Sequence, residues 1–172
     1  MLITNANIIT WESPNRVLEN HAIYIEGDHI KEIGTTRSLV AKYPKAKATD
    51  ANGQYVMPGG ICAHTHFYGA FARGMAIPGP APKDFPEILQ KLWWPLDRSL
   101  DAEAVRYSAL VCLVDAIKHG TTTLIDHHAS PNSIEGFSIK LQMCCRQSGL
   151  RGVLCWAKSL TVMDKESKCG HQ

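Results

Sequence analysis

Several features that mark common protein classes are missing from this chain of 172 residues. No apolar run approaches the ~18 residues of a membrane-spanning helix, and the first residues lack the basic start of a secretory signal, so we expect a cytoplasmic protein with no membrane partner. The formal net charge of +2 and the scattered Lys and Arg residues do not indicate nucleic-acid binding. The six cysteines form no C-x-x-C pair, which disfavours a disulfide framework and a cysteine zinc site.

What is present is the composition of a globular protein, 45% hydrophobic and 20% charged, with a change of pattern at Pro58. Residues 1–57 predict a small β-rich domain of short antiparallel strands separated by glycine turns. Residues 58–156 predict strands alternating with helices, and residues 157–172 show no clear element. The strands predicted in the second part are 61–66, 121–126 and 150–155.

The helices between these strands carry recognisable start and stop signals. Asp84 opens a capping box and a short helix that Pro95 should end. Asp101 should cap a longer helix that ends at Gly120, and Asn132 with Glu135 predicts a third helix. The apolar stripe predicted for the longer helix is Val105, Ala109, Cys112, Leu113, Ala116 and Ile117.

This order predicts an α/β fold with a parallel sheet and right-handed crossovers. Three parallel strands cannot close a barrel, which needs eight. The pattern therefore stops before the fold that it begins is complete.

The strand at 61–66 ends in His64-Thr65-His66, the most informative motif in the chain. Alternate residues of a strand share a face, so Cys62, His64 and His66 are expected to point the same way. Two imidazoles at this spacing suit one transition-metal ion, but a catalytic zinc site usually takes three protein ligands. The motif is therefore half a site, and histidines with ordinary hydrogen bonds are the alternative.

The motif does not stand alone. Pro58-Gly59 precedes it, Arg73-Gly74 follows it, and Gly120-Thr121-Thr122-Thr123 opens the next strand. Together these segments resemble the amidohydrolase superfamily, in its branch of chlorohydrolases and of cytosine and guanine deaminases, and more narrowly the SsnA-type aminohydrolases. The resemblance covers about residues 1 to 155.

This resemblance implies the N-terminal part of a (β/α)8 barrel, with about three strands present, preceded by a small β-rich domain. It implies one Zn²⁺ or Fe²⁺ at the C-terminal mouth of the barrel, with His64 and His66 as the first-strand ligands. The family's other ligands, two histidines and an aspartate on later strands, have no counterpart here. No acid or base residue is identifiable either, so the ligand set is incomplete.

The implied function is a metal-dependent hydrolase of non-peptide carbon–nitrogen bonds, an aminohydrolase of a nitrogen heterocycle with a small-molecule substrate. The alternatives are a chlorohydrolase or another heterocycle hydrolase, and a non-catalytic fragment or assembly partner. A homo-oligomer is compatible with a full-length homologue. The chain itself is expected to be truncated and inactive alone.

Three further residues are candidates for substrate binding. Arg73 could neutralise an anionic group or brace its loop, and His127 and His128 follow the second strand at the functional end of the barrel. Asp126 is expected to cap a loop. Aromatic residues could wall a pocket for a flat ring or pack in the core: Phe67, Tyr68, Phe71, Trp93 and Trp94.

The tail suggests a cause for the truncation. One choice of codons for residues 158–165, read in another frame, encodes a segment that resembles the family's usual continuation. The sequence therefore predicts a frameshift near residues 155–158, and the DNA downstream would have to encode the missing ligands.

Overall fold

A computed structural model describes residues 1–133 and 137–156, with the side chains of 133, 137–139 and 156 left aside. The chain divides into two compact units, the first ending at Pro58 and the second beginning at Gly59. Within the described part of the chain, no helix is both long and apolar enough to cross a membrane.

The first unit is a five-stranded sheet with one short helix. Its strand order is β3-β2-β1-β4, and β5 also pairs with β1. The elements are β1 (Leu2–Ile9), β2 (Val17–Glu26), β3 (His29–Thr35), α1 (Thr36–Lys42), β4 (Ala48–Asp50) and β5 (Tyr55–Val56).

The pairing in this unit is only partly antiparallel. β1, β2 and β3 pair antiparallel as predicted, but β4 and β5 run parallel to β1, so the prediction of antiparallel strands throughout is wrong. The chain can return in the parallel sense because α1, which the sequence reading missed, follows β3 directly. Thr35 caps this helix by accepting from the Ser38 N–H.

Strict alternation along β1 places every second side chain in the core of the first unit. Leu2 packs in one buried cluster with Leu39 of α1, and Ile8 packs in a second with Ile23 of β2. Ala22 and Ile23 are neighbours on β2 and belong to different clusters, so the sheet buries apolar side chains on both faces, and α1 covers one of them.

The second unit contains a three-stranded parallel sheet in the order β6-β7-β8, as predicted. Helical segments connect its strands. The elements are β6 (Gly60–Thr65), a 3-10 helix (Phe67–Ala72), α2 (Phe85–Ile88), a π-helix (Leu89–Trp93), α3 (Trp94–Ser99), α4 (Ala102–Lys118), β7 (Thr121–His128), a 3-10 helix (Pro131–Ser133), α5 (Phe137–Ser148) and β8 (Arg151–Trp156).

Helical structure continues past Pro95, so the prediction that this proline ends the helix is wrong. Asp84 caps α2 as expected, accepting from the Glu87 N–H. The following turn is wider, with the Trp94 N–H donating to the Leu89 carbonyl five residues back. Pro95 therefore falls in the first turn of α3, where its missing N–H is tolerated.

α4 begins and ends where the sequence predicts. Asp101 accepts from the N–H groups of Glu103 and Ala104, and Gly120 takes a left-handed conformation, φ 73°, just after the helix. The predicted stripe is correct for Val105, Ala109 and Leu113, which are buried. It is wrong for Ile117, which is 49% exposed at the edge of the stripe in the last turn of the helix.

The core of the second unit lies between the sheet and the helices. Phe67, Val105, Leu124 and Leu141 are almost fully buried within one cluster. β7 is longer than predicted and includes both His127 and His128. The predicted capping box of Asn132 and Glu135 falls partly outside the described residues, as does Cys169; the other five cysteines are free thiols.

Candidate metal centre

The carboxyl end of β6 lies beside that of β7, and both carry histidines. The two strands are parallel, with Thr65 aligned with Asp126. Parallel strands bring their carboxyl ends to one edge, which is where sites form in α/β sheets. This alignment places His66 next to the segment Asp126–His128.

His64 and His66 meet through their Nε2 atoms, 3.0 Å apart, with the ring planes at 88°. Two nitrogens bound to one tetrahedral zinc ion at about 2.05 Å would lie about 3.3 Å apart. The observed 3.0 Å is a hydrogen-bonding contact between the two rings, and it lies within about 0.3 Å of the separation in a metal-bound pair. The predicted convergence of the two rings is present in the structure.

The other ring nitrogen of His66 fixes its tautomer. Nδ1 lies 2.6 Å from the backbone carbonyl oxygen of His127, which can only accept a hydrogen bond. Nδ1 therefore carries the proton, and Nε2 of the neutral ring is a lone-pair donor. Metal-bound histidines typically donate their second N–H in this way.

Cys62 does not join the pair, so its predicted placement on the same face is wrong. It packs against the buried core cluster, whereas His64 is exposed. The physical reason is a register shift between Cys62 and Thr65, which breaks the alternation along β6. Across the described residues, no group of three His, Cys, Asp or Glu side chains forms a metal site.

Behind the pair lies a buried polar network. Asp126 Oδ1 accepts from the Phe67 N–H at 2.8 Å, and its Oδ2 lies 3.3 Å from His128 Nδ1. His128 Nε2 lies 2.8 Å from the Ser130 hydroxyl, which itself donates to the Ala129 carbonyl and so accepts from the imidazole. Oδ2 and Nδ1 face each other at ion-pair distance but without hydrogen-bond geometry.

The three predicted substrate contacts are placed very differently. His127 is exposed beside His66, with ring centroids 5.3 Å apart, and its carbonyl orients that ring. His128 is 0% exposed, and its contact with substrate stays a prediction. Arg73 is exposed and lines a shallow groove of about 350 Å³ along α4, with Leu110 and Asp115.

An aromatic and acidic wall flanks His66. The Tyr68 ring lies 5.4 Å from His66, 5.2 Å from His128 and 5.9 Å from Trp93, measured between centroids. Burial, with Asp97 and Asp126 nearby, raises the pKa of Tyr68 to about 12, so the phenol stays neutral. Phe67 is a core residue, and Phe71 is exposed.

Asp97 is the residue that sequence reasoning missed. It lies on α3, is 4% exposed, and its Oδ1 has no hydrogen-bond partner among the described residues. Burial raises its pKa to about 7, and the nearby His66 partly opposes that rise. The available signal was its position between Leu96 and Leu100, both buried, on the apolar side of a short helix.

The site therefore offers two convergent imidazoles, a neutral phenol and a buried carboxyl side by side. The two imidazoles can fill two coordination positions of one divalent cation. The phenol and the carboxyl can contact a polar ring bound beside that cation. The fold and the donor set define the class: an α/β protein with two histidines positioned to bind one divalent cation.

Comparison with known families agrees with this class. Residues 55–169 match the amidohydrolase family, and the chain belongs to that family. A 5-methylthioadenosine/S-adenosylhomocysteine deaminase of Pelotomaculum thermopropionicum is 29% identical over 154 residues, 89% of this chain and 35% of the relative. One of Caldanaerobacter subterraneus subsp. tengcongensis is 32% identical over 156 residues, 90% of this chain and 32% of the relative.

Solved structures confirm the fold. Atrazine chlorohydrolase from Arthrobacter aurescens TC1, complexed with zinc, superposes with a TM-score of 0.73 at 20% identity, over 90% of this chain and 35% of that one. Escherichia coli guanine deaminase superposes with a TM-score of 0.72 at 18% identity, over 89% and 36%. The second unit is thus the first part of an amidohydrolase-type barrel, and the chain spans about a third of its relatives.

Proposed function

We propose that His64 and His66 are two ligands of a divalent cation, most simply Zn²⁺, in a hydrolase of non-peptide carbon–nitrogen bonds. The observation that carries this proposal is the convergence of their Nε2 atoms at 3.0 Å, with the His66 tautomer set by the His127 carbonyl. A bound divalent cation supplies a Lewis acid that activates water.

The residues around the cation then have separate roles. His64 and His66 bind the cation, while the buried network behind them excludes water from that side. Tyr68 presents a neutral ring next to His66, and Asp97 presents a carboxyl oxygen that can accept a hydrogen bond from substrate. Arg73 and the exposed imidazole of His127 remain candidates for contact with substrate.

We propose an aminated nitrogen heterocycle as the substrate class, with adenine-containing thioethers first among those to test. Relatives named as deaminases of 5-methylthioadenosine and S-adenosylhomocysteine, alignable with most of this chain, support this choice over a chlorohydrolase. The activity belongs to a protein with a completed barrel, since the chain spans about a third of these relatives.

The experiment is a zinc titration against a chromophoric chelator, with His64→Ala, His66→Ala and the control His29→Ala. His29 is an exposed histidine of the first unit. We expect about one zinc per wild-type chain, affinity at least ~10-fold weaker in the two site variants, and wild-type affinity in the control. Equal affinity in all four proteins would contradict the proposal.

Ammonia release from 5-methylthioadenosine and S-adenosylhomocysteine is the functional readout. Two ligands make an incomplete catalytic site, so we expect no release by this chain alone even when zinc is bound. Release that disappears in His64→Ala would show that the described residues suffice for catalysis and would correct that expectation.

A further inference from the structure

Asp126 is a buried carboxylate outside the proposed ligand pair, and it contacts the backbone next to a proposed ligand. Its Oδ1 accepts at 2.8 Å from the N–H of Phe67, the residue directly after His66. Asp126 is 0% exposed and lies on β7, whereas Phe67 begins the helical turn that follows β6. The bond therefore crosses between strands and fixes the peptide on the carboxyl side of His66.

A second contact from the same short segment fixes the ring. The carbonyl of His127, adjacent to Asp126, accepts from His66 Nδ1 at 2.6 Å. One contact holds the His66 backbone and the other holds its imidazole, both from consecutive residues of β7. Together they determine where Nε2 points.

The third residue of the segment lies against the carboxylate. His128 Nδ1 is 3.3 Å from Asp126 Oδ2, within ion-pair distance but without hydrogen-bond geometry, and its Nε2 lies 2.8 Å from the Ser130 hydroxyl. All three side chains are 0% exposed. Because Oδ2 makes no hydrogen bond, the Phe67 N–H is the one hydrogen-bond donor to the Asp126 carboxylate among the described residues, and losing it would leave the buried carboxylate without a donor.

We propose that Asp126 is a positioning residue for the metal centre: its carboxylate, packed against His128, accepts from the N–H of the His66–Phe67 peptide and fixes that peptide, so that His66 presents Nε2 toward His64. This inference rests on the proposed metal role of His64 and His66. It assigns a function to the Asp126–His128 pair beyond capping a loop.

The first test needs no substitution. In the metal-free wild-type chain, long-range ¹H–¹⁵N NMR of the imidazoles should show His66 protonated at Nδ1, and the Phe67 amide proton should exchange slowly with solvent. A His66 ring protonated at Nε2, or a Phe67 amide that exchanges as fast as exposed loop amides, would overturn the proposal even if no variant folds.

The second test compares Asp126→Ala with Asp126→Asn. Alanine removes the acceptor for the Phe67 N–H, whereas asparagine retains an amide oxygen that can accept it. We expect zinc affinity about 10-fold weaker than wild type in Asp126→Ala, with mixed His66 tautomers, and a loss below about threefold in Asp126→Asn. Zinc affinity and His66 tautomer unchanged in a folded Asp126→Ala variant would overturn the proposal.

Asp101→Ala is the matched control for a merely structural role. Asp101 also accepts backbone N–H groups, at the start of α4, so its loss lowers stability without touching His66. We expect wild-type zinc affinity and His66 tautomer in this variant, and weakened zinc binding in it would also contradict a specific role for Asp126. Failure of wild-type zinc binding would refute the proposed function instead, which separates the two failures.

Discussion

At the scale of single residues, the tightest constraint on the second unit is the approach of Gly59 to Thr122. A Cβ built on Gly59 would lie 2.1 Å from Thr122 Cγ2 and 2.7 Å from its Oγ1. We therefore predict that Gly59→Ala lowers the free energy of unfolding by about 1–3 kcal/mol, as overpacking does, measured by urea denaturation.

The partner substitution makes this prediction specific. Thr122→Ala removes both clashing atoms, so Gly59→Ala/Thr122→Ala should recover at least half of the lost stability. If the double variant is as unstable as the sum of the two single variants, steric contact is not the cause.

Asp97 predicts a pH dependence of stability for the metal-free chain. Burial raises its pKa from 3.8 to about 7, so the folded state keeps a proton that the unfolded state releases above about pH 4. The stability that comes from this group is complete below about pH 4 and is lost as the pH rises to about 7. The Asp97→Asn variant has no ionisable group at this position, so it should not lose this stability as the pH rises.

Urea denaturation in EDTA between pH 4.5 and 8 measures the effect. The stability of Asp97→Asn relative to wild type should increase steadily over this interval and level off above about pH 7. The exposed carboxyl of Glu103 supplies the control, since Glu103→Gln should run parallel to wild type. A flat difference for Asp97→Asn would contradict the assigned burial effect.

The sequence could predict the convergent pair of histidines but not its surroundings. His64 and His66 stand out through their spacing on a strand together with the motifs around them, Pro58-Gly59, Arg73-Gly74 and Gly120–Thr123, whereas the spacing alone is weakly specific. The role of His127 lies in a backbone carbonyl, which every residue has, and the role of Asp97 depends on burial between distant segments. Neither is visible in residue type.

At the scale of elements, start and stop signals were reliable where capping is local. Asp84, Asp101 and Gly120 all act as predicted, because a cap involves residues within a few positions. Pro95 does not end its helix as predicted, because the π turn before it changes the hydrogen-bond pattern, and no pattern in the sequence indicates that turn. The parallel direction of the short strands β4 and β5 depends on pairing with β1, which is distant in sequence, so local sequence patterns could not predict it.

The cap of α4 gives a prediction at this scale. Asp101→Ala removes the acceptor of two backbone N–H groups, so the free energy of unfolding should fall by about 1 kcal/mol. Asp84→Ala, which uncaps only the four-residue α2, should cost less under the same urea titration. A larger effect at Asp84 than at Asp101 would contradict the view that α4 is the principal helix of the second unit.

At the scale of the whole molecule, the parallel strand order β6-β7-β8 followed from the alternation of strands and helices. The barrel fold was predicted from the resemblance of the motifs to the amidohydrolase superfamily, and solved structures confirm that fold. The division at 1–57, 58–156 and 157–172 stays a prediction.

The predicted frameshift concerns residues that the structure does not describe. The match to the amidohydrolase family runs to residue 169, past the predicted change of frame at 155–158. The DNA sequence through and beyond the last codons decides: an out-of-frame continuation encoding further histidine and aspartate ligands supports the frameshift, and its absence refutes it.

The most direct test of the central claim is ¹⁵N NMR of the imidazoles during zinc titration of the wild-type chain. We predict that the Nε2 resonances of His64 and His66 shift together and saturate at about one equivalent of zinc, while His21, His29 and His119 are unaffected. Zinc that shifts only one of the two, or binds first at the other histidines, would contradict a shared metal site at the carboxyl end of β6.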